Sequence, residues 1–229
     1  MVTQYKPILF STKMVQAILE GRKTQTRRLH GLDEIKKNPN DWTFYYFSKD
    51  DKRTFAHFRK QEDNKIKSIF GTSPYQIGDI LWVRESFFNC SSFKEYPLFS
   101  EIKGNFCYKT NDFIGGHKWK PSIYMPKKAA RIFLEVTNVR VERLKDISEE
   151  DAIAEGIDKK GDLYFNYVES EGYFKKSFPK EYFYKEIPKV SFISLWAKIN
   201  GIDSWIANPW VWVYEFKQVH HPKGFLNEQ

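Results

Sequence analysis

The segment from Trp210 to Phe216 constrains the fold of this 229-residue chain more than any other segment. Tryptophan, valine and tyrosine fill it, and no charged side chain occurs before Glu215. An extended strand with this sequence is apolar on both faces for most of its length, which is typical of strands that are covered on both sides. The sequence therefore predicts a β-strand in the middle of the folded structure.

Other segments predict further strands. Residues 7–10 and 105–109 are short strand candidates, and residues 80–83 form an apolar run that follows the turn signal Gly78-Asp79. Residues 129–144 alternate between apolar and polar side chains, with a break at Thr137-Asn138. That break leaves two alternatives open, a curved hairpin or one long bulged strand.

Three segments predict helices. Residues 11–21 have an apolar face, a serine at the first position that can cap the helix, and a glycine at the end that can terminate it. The segment from Ser148 to Asp151 matches a capping box and opens a short helix that ends at Gly156. Residues 191–199 place Phe192, Leu195, Trp196 and Ile199 at helical spacing.

Two stretches lack this regularity, and we interpret them as insertions in a single domain that spans residues 1–229. Residues 33–74 are polar and rich in turns, and we expect their small aromatic patch at 42–47 to lie outside the core. Residues 158–190 are rich in tyrosine, phenylalanine and lysine without clear periodicity. A lid or binding loop is as compatible with that composition as a packed appendage.

The charge of the chain favours a polyanionic partner. Its 37 lysine and arginine residues exceed its 29 aspartate and glutamate residues, giving a formal net charge of +8. One cationic run contains no carboxylate and has aromatic residues among its cations, a mixture that suits phosphate contact together with base stacking. This run comprises Lys118, Trp119, Lys120, Tyr124, Lys127, Lys128 and Arg131.

Cysteine and histidine are too sparse to indicate a disulfide framework or a metal site. Cys90 and Cys107 are the only cysteines, and we expect both to be reduced thiols. The sequence predicts no metal and no cofactor. We also expect no membrane segment, because no stretch is apolar enough to span a bilayer and the amino terminus lacks the apolar core of a signal peptide. These features predict a cytoplasmic protein.

The segment from Gly21 to Arg28 contains four cations and two threonines directly after the first predicted helix. Its β-branched threonines favour an extended strand, with Lys23, Gln25 and Arg27 on one side and the intervening residues on the other. A solvated basic strand would explain this composition equally well. On a regular strand Lys23 and Thr26 would face opposite sides, so both can line one pocket only if the strand is distorted there.

The order of five sequence features resembles the ASCH domain of the PUA-like superfamily. These are the early helix, the motif Gly21-x-Lys23-x-x-Thr26-x-Arg28, the Gly78-Asp79 turn, the motif Asp151-Ala152-x-x-Glu155-Gly156 and the terminal strand. The resemblance covers nearly the whole chain outside the two insertions. The chain is longer than the compact bacterial ASCH proteins and resembles versions carried by phages and prophages. It implies an α+β fold, a PUA-like mixed β-barrel with a few short helices.

The resemblance also implies binding of RNA or nucleotides, and a compact bacterial ASCH protein removes the acyl group from N4-acetylcytidine with a lysine, a threonine and a glutamate. The matching residues are Lys23, Thr26 and Glu155. Lys23 would act as a base on Thr26 or on water if burial and its arginine neighbours lower its pKa. Glu155 would either move a proton to N4 or hold Lys23 charged, and these two roles oppose each other.

Three functions remain open at this point. The first is an amidohydrolase that acts on a modified cytidine, free or within RNA. The second is a module that binds RNA or a modified nucleotide without chemistry, and the third is an RNA-cleaving ribonuclease. For contact with nucleic acid the expected residues are Arg22, Arg27, Arg28 and Arg84 together with the cationic run.

Overall fold

The computed structural model describes residues 4–63, 65–93, 104–111, 118–160, 163–165 and 188–226. The strands are β1 (Tyr5–Leu9), β2 (Gln25–Arg28), β3 (Thr43–Lys49), β4 (Thr54–Glu62), β5 (Lys65–Ser73), β6 (Ile80–Arg84), β7 (Phe87–Asn89), β8 (Phe106–Tyr108), β9 (Phe133–Arg143), β10 (Asp158–Lys160), β11 (Leu163–Phe165) and β12 (Trp210–Val219). The helices are α1 (Thr12–Leu19), α2 (Asp33–Lys37), α3 (Glu149–Ala154), α4 (Pro188–Asn200) and α5 (Ile202–Ile206).

The main sheet has five strands in the order β1-β6-β9-β12-β2. β1 and β6 run parallel, and the other neighbouring pairs are antiparallel. β12 therefore lies between two other strands, and its residues 211–214 are completely buried. The prediction of an interior strand at the carboxyl end is confirmed.

β9 is one long strand that contains a bulge. Its register with β12 shifts between Glu215 and Phe216, which pair with Asn138 and Val136. Thr137 is left without a partner in the register, at the break that the sequence predicted. Of the two alternatives, the bulged long strand is therefore confirmed and the hairpin is wrong.

The first insertion forms a second sheet, in the order β3-β4-β5, and it contributes to the core. Ala56 and Phe58 are completely buried on its inner face. The ring of Phe58 lies 5.2 Å from that of Trp210, and the ring of Phe47 lies 6.1 Å from that of Trp212. Our expectation that this segment lies outside the core is wrong, because its alternating strands have one face against the main sheet and only the other in solvent.

The three predicted helices are present with the predicted caps where these are described. The Ser11 hydroxyl accepts a hydrogen bond from the Met14 amide, and the Ser148 hydroxyl accepts one from the Asp151 amide, at 3.1 Å. α4 is longer than predicted, and it buries Phe192, Leu195 and Trp196.

Two smaller pairs complete the described structure, β7 with β8 and β10 with β11. Of the second insertion, residues 161–162 and 166–187 lie outside the described residues, so its interpretation as a lid or binding loop stays a prediction. The chain is thus a mixed α/β protein with short helices and open sheets. The described strands do not form a closed barrel.

Gly31 provides a test of how tightly the two sheets are joined. Its φ is +77°, and a Cβ at this position would overlap the carbonyl oxygen of Thr72 in β5. We expect Gly31→Ala to lower the free energy of unfolding by about 3 kcal/mol or more, since the backbone must move as well as adopt a strained conformation. Denaturant unfolding measures the loss.

Gly201→Ala is the matched control for that substitution. Gly201 has a φ of +82°, but a Cβ there would have open space around it. Gly201→Ala should lower the free energy of unfolding by about 1 kcal/mol, from the left-handed conformation alone. Equal losses for the two variants would contradict the tight junction of the sheets.

Candidate active site

Lys23 lies between the end of α1 and the start of β2, where the chain changes direction. Its amide donates to the carbonyl oxygen of Ala17 at 3.0 Å, and the residue forms an isolated antiparallel bridge with Glu155. Lys23 precedes β2, which begins at Gln25, yet its side chain lies on the same side as those of Gln25 and Arg27.

The ammonium group of Lys23 is anchored by three acceptors. It donates to the carbonyl oxygen of Gln25, the carbonyl oxygen of Glu155 and Oε2 of Glu155, each at 2.8 Å. An ammonium group has three donors, so these contacts satisfy it fully. The Lys23 residue is only 2% exposed. The structure thus brings Lys23 and Glu155 into direct contact.

Two opposing effects act on the pKa of Lys23. Burial lowers this pKa, because the charged form loses its hydration, and the charges of Arg28 and Arg27 lower it further. The carboxylate of Glu155 acts in the opposite direction. The outcome is a lowered pKa, so the site favours release of a proton from Lys23 more than water does.

Arg27 is the centre of a buried ionic network that the sequence did not predict. Its guanidinium contacts Glu142 at 2.6 Å, Asp151 at 2.7 Å and Glu155 at 3.2 Å. It also donates to Oε1 of Gln25 at 2.6 Å. The side chains of Lys23, Gln25 and Arg27 all lie on one side of the chain, as the strand pattern predicted, and this side faces α3. Arg27 is buried, which corrects its assignment to a nucleic-acid groove: its donors are used by carboxylates of the protein itself.

Arg140 extends this network on β9. It contacts Glu142 at 3.1 Å and Asp151 at 2.8 Å, and it also pairs with Glu215. The available sequence signal was the placement of Arg140 and Glu142 two residues apart in a strand whose neighbouring positions are valines, so that both charges share one face. The carboxylates were not assigned a role because their partners are distant in sequence.

Thr26 and Glu155 line one small cavity. Thr26 is 3% exposed and lies opposite Tyr214 in the register of β2 and β12. The cavity has a volume of about 70 Å³, and its other walls include Met14, Leu195 and Trp196. Lys23 is not among the residues that line it, so the ammonium group lies behind Glu155.

Gly156 allows the close approach of α3 to Lys23. Its φ is +90°, and a Cβ at this position would lie 2.9 Å from Cβ of Lys23 and 3.0 Å from Cβ of Ala17. Arg22 also binds this turn, donating to the Gly156 carbonyl oxygen at 3.1 Å and to Glu20 at 2.8 Å. The glycine that was predicted as a helix terminator therefore also permits the contact of Lys23 with Glu155.

The remaining arginines assigned to nucleic acid have contacts within the protein. Arg28 donates to the carbonyl oxygen of Leu9 at 2.9 Å, and its guanidinium lies 5.2 Å from the centre of the Phe10 ring. Arg84 donates to the carbonyl oxygen of Ile123. Each of the two has a buried Nε atom without a hydrogen-bond partner.

The cationic run divides into exposed and engaged residues. Arg131 contacts the buried carboxylate of Glu85 at 2.8 and 3.0 Å, which compensates its charge. The ammonium group of Lys127 lies 4.7 Å from the centre of the Phe225 ring. Trp119 is half-buried. The exposed members are Lys118, Lys120, Tyr124 and Lys128.

Within the described ranges, no three or more His, Cys, Asp or Glu side chains are arranged to hold a metal ion. No helix in the described part of the chain is long and apolar enough to cross a membrane. No family model, curated protein or solved structure matches this sequence.

The ionic network around Arg27 should contribute to the stability of the fold. We expect Arg27→Ala to lower the free energy of unfolding by about 3 kcal/mol or more, because three carboxylates lose a shared buried partner. Lys37→Ala is the control, since it removes an exposed pair with Glu34 and should cost about 1 kcal/mol or less. Chemical denaturation compares the two, and a loss of only about 1 kcal/mol in Arg27→Ala would contradict the role of Arg27 as the centre of the network.

Proposed function

We propose that this chain is an ASCH-type, PUA-like protein that binds RNA or a modified nucleotide and hydrolyses the N4-acyl amide of a modified cytidine. The observation that carries the proposal is the buried contact between Lys23 and Glu155, with Thr26 and Glu155 on the wall of one cavity. These are the three residue types, at matching positions of the motif, that the resemblance implies for amide hydrolysis.

Curvature of the main sheet supports the PUA-like part of the proposal. In a flat five-stranded sheet the two edge strands would be roughly 19 Å apart. Arg28 of the edge strand β2 nevertheless donates to Leu9 of the opposite edge strand β1, at 2.9 Å. The sheet must therefore curl so that its edges approach each other, as the sheet of a barrel does.

Amide hydrolysis requires a nucleophile, an acceptor for its proton and a donor for the leaving amine. In the proposed reaction the oxygen of a water molecule bonds to the acyl carbon, and Glu155 takes a proton from this water. Glu155 then delivers the proton to N4 as the bond between the acyl carbon and N4 breaks. The products are a carboxylic acid and the amino form of cytidine.

Lys23 acts as a positioning residue in this reaction. Its three hydrogen bonds use all the donors of the ammonium form, so it holds one oxygen of Glu155 in place rather than attacking the substrate. Arg27 holds the other oxygen of Glu155 at 3.2 Å. Because Lys23 is then a positioning residue and not a base, the two roles considered for Glu155 no longer oppose each other: it holds the ammonium group and, in the proposed reaction, also moves the proton.

The size of the cavity suggests which part of the substrate enters. Pockets that enclose a small-molecule ligand usually exceed about 300 Å³, and this cavity has only about 70 Å³. A nucleobase is too large for it, whereas a short acyl group fits among Met14, Leu195 and Trp196. We therefore assign the acyl group to the cavity and the base to its mouth.

The direct test is turnover of N4-acetylcytidine, free and within an oligonucleotide, measured by separation of the deacylated product. Glu155→Gln should lower turnover by about a hundredfold or more, the usual contribution of a general acid or base. Glu150→Gln is the matched control, because Glu150 is an exposed carboxylate on α3, the helix that ends just before Glu155. Undiminished turnover in a folded Glu155→Gln protein would overturn the mechanism.

A second candidate function, binding of RNA without chemistry, is favoured by the exposed lysines of the cationic run. If Lys118 and Lys120 contact phosphates, charge reversal of either should weaken binding of single-stranded RNA. Each lost contact should also lower the log–log salt slope by about 0.7. Turnover of the free nucleoside should not change in these variants.

Lys36→Glu is the control for those two variants. It makes the same change of charge at an exposed lysine of α2, outside the cationic run. Fluorescence anisotropy at several salt concentrations measures the slopes. If Lys118→Glu and Lys120→Glu behave like Lys36→Glu, the cationic run is a solvated surface without a role in binding.

A further inference from the structure

The outer face of the second sheet carries an exposed row of aromatic rings that the proposed reaction does not use. Tyr46 of β3 pairs in register with His57 of β4, which pairs in register with Phe70 of β5. The rings of Tyr46 and His57 are stacked, with centres 4.2 Å apart, and His57 and Phe70 are 5.9 Å apart. Three adjacent strands thus present one continuous aromatic row.

A β-bulge adds a fourth ring to this face. The register of β3 and β4 shifts between Phe44 and Tyr46, so Tyr45 has no partner in it. Phe44 remains on the inner face, 5.9 Å from Phe58, while Tyr45 lies against Arg59 on the outer face. Without the bulge, strand alternation would send Tyr45 and Tyr46 to opposite faces. The irregularity therefore doubles the number of tyrosines in solvent.

Core packing does not account for these rings. Phe70 is 60% exposed, Tyr45 54% and Tyr46 46%. The opposite face of the same sheet contains Ala56 and Phe58, which are completely buried against the rest of the protein. A contiguous exposed aromatic surface of this kind marks an interaction site rather than a structural one.

The charges on this face indicate the chemistry of the partner. Arg59 lies over the ring of Tyr45, 3.4 Å from its centre, and Arg53, which also pairs with Asp50, lies 5.3 Å from the centre of the Phe55 ring. Among the described residues at outward positions of the three strands there is no aspartate or glutamate. A second copy of the same face would leave Arg59 without a carboxylate partner, whereas a polyanion would supply one.

We propose that the outer face of the β3-β4-β5 sheet is a stacking platform for single-stranded nucleic acid. Bases would stack on the rings of Tyr45, Tyr46 and Phe70, and Arg59 would contact a phosphate or the face of a base. This platform uses none of the residues of the Lys23 site or of the cationic run. Its existence does not depend on whether the chain hydrolyses an amide.

The test uses the full chain and fluorescein-labelled RNA and DNA of about ten nucleotides, as single strands and as duplexes. Phe70→Ser and Tyr46→Ser should each weaken binding of single strands about tenfold, because one base loses its stacking partner. The salt slope should stay unchanged in these two variants, since no phosphate contact is lost. Arg59→Gln should instead lower the slope by about 0.7 for a phosphate contact.

Ile206→Ser is the control for loss of exposed apolar surface, because Ile206 is as exposed as Phe70 and lies on α5. The rings are in solvent, so the variants should fold, and far-ultraviolet circular dichroism verifies this. Unchanged single-strand affinity in folded Phe70→Ser and Tyr46→Ser would overturn the proposal. So would a wild-type dimer that both variants convert to a monomer in light scattering, since the face would then join two copies of the chain.

The same variants separate this proposal from the proposed hydrolysis. Turnover of free N4-acetylcytidine involves no polymer, so Phe70→Ser should leave it as it is in the wild type. If Phe70→Ser loses binding of single-stranded nucleic acid but keeps normal turnover, the platform alone is supported. If the wild type binds single strands but shows no turnover, only the hydrolase is contradicted. Tighter binding of duplexes than of single strands would also overturn the platform, because paired bases do not expose their faces.

Discussion

The burial of Lys23 against Glu155 is the constraint on which the arrangement of the site depends. An ammonium group that is almost fully removed from water is tolerated only if its donors all find acceptors. Two of the three acceptors are backbone carbonyl oxygens, of Gln25 and Glu155, so the requirement fixes main chain as well as side chains. The start of β2 and the end of α3 are thereby held together.

The same requirement propagates to Arg27 and Arg140. Glu155 offers its second oxygen to Arg27, and Arg27 shares Glu142 and Asp151 with Arg140. Arg27 and Arg140 each pair with three carboxylates, which spreads the network over β2, β9 and α3. Breaking one contact in such a network affects the others, since buried polar groups that lose a partner cannot turn to water. Rigidity at Glu155 follows from this connectivity.

Much of the fold could be predicted from the sequence, because local signals agreed with the final packing. The caps at Ser11 and Ser148 and the break at Thr137 all correspond to observed features. The second sheet was misjudged because its exposed rings and polar positions hid a buried inner face at Ala56 and Phe58. Alternation within a strand that also contains a bulge is difficult to recognise, since the bulge changes which residues share a face.

The site itself was only partly predictable, and the missing part is electrostatic. The types of Lys23, Thr26 and Glu155 came from the motif, but the partners of Arg27 lie more than a hundred residues away in sequence. From composition alone, Arg27 was therefore expected to be free to contact a phosphate. Carboxylates that are distant in sequence neutralise the cations of this basic strand, and no local sequence pattern predicts such pairing.

Energetics suggest why a charged network occupies this interior at all. Well-packed apolar side chains in place of a buried ion pair are often as stable or more stable, so stability alone does not require Lys23 and Glu155. A carboxylate held through both of its oxygens on the wall of a small cavity, as Glu155 is, suits the proposed proton transfer. The exposed rings on the outer face of the β3-β4-β5 sheet are likewise not required for stability, since they would stabilise the fold more if they were buried. Stability alone thus requires neither feature, and the proposed chemistry and binding at these two places would account for them.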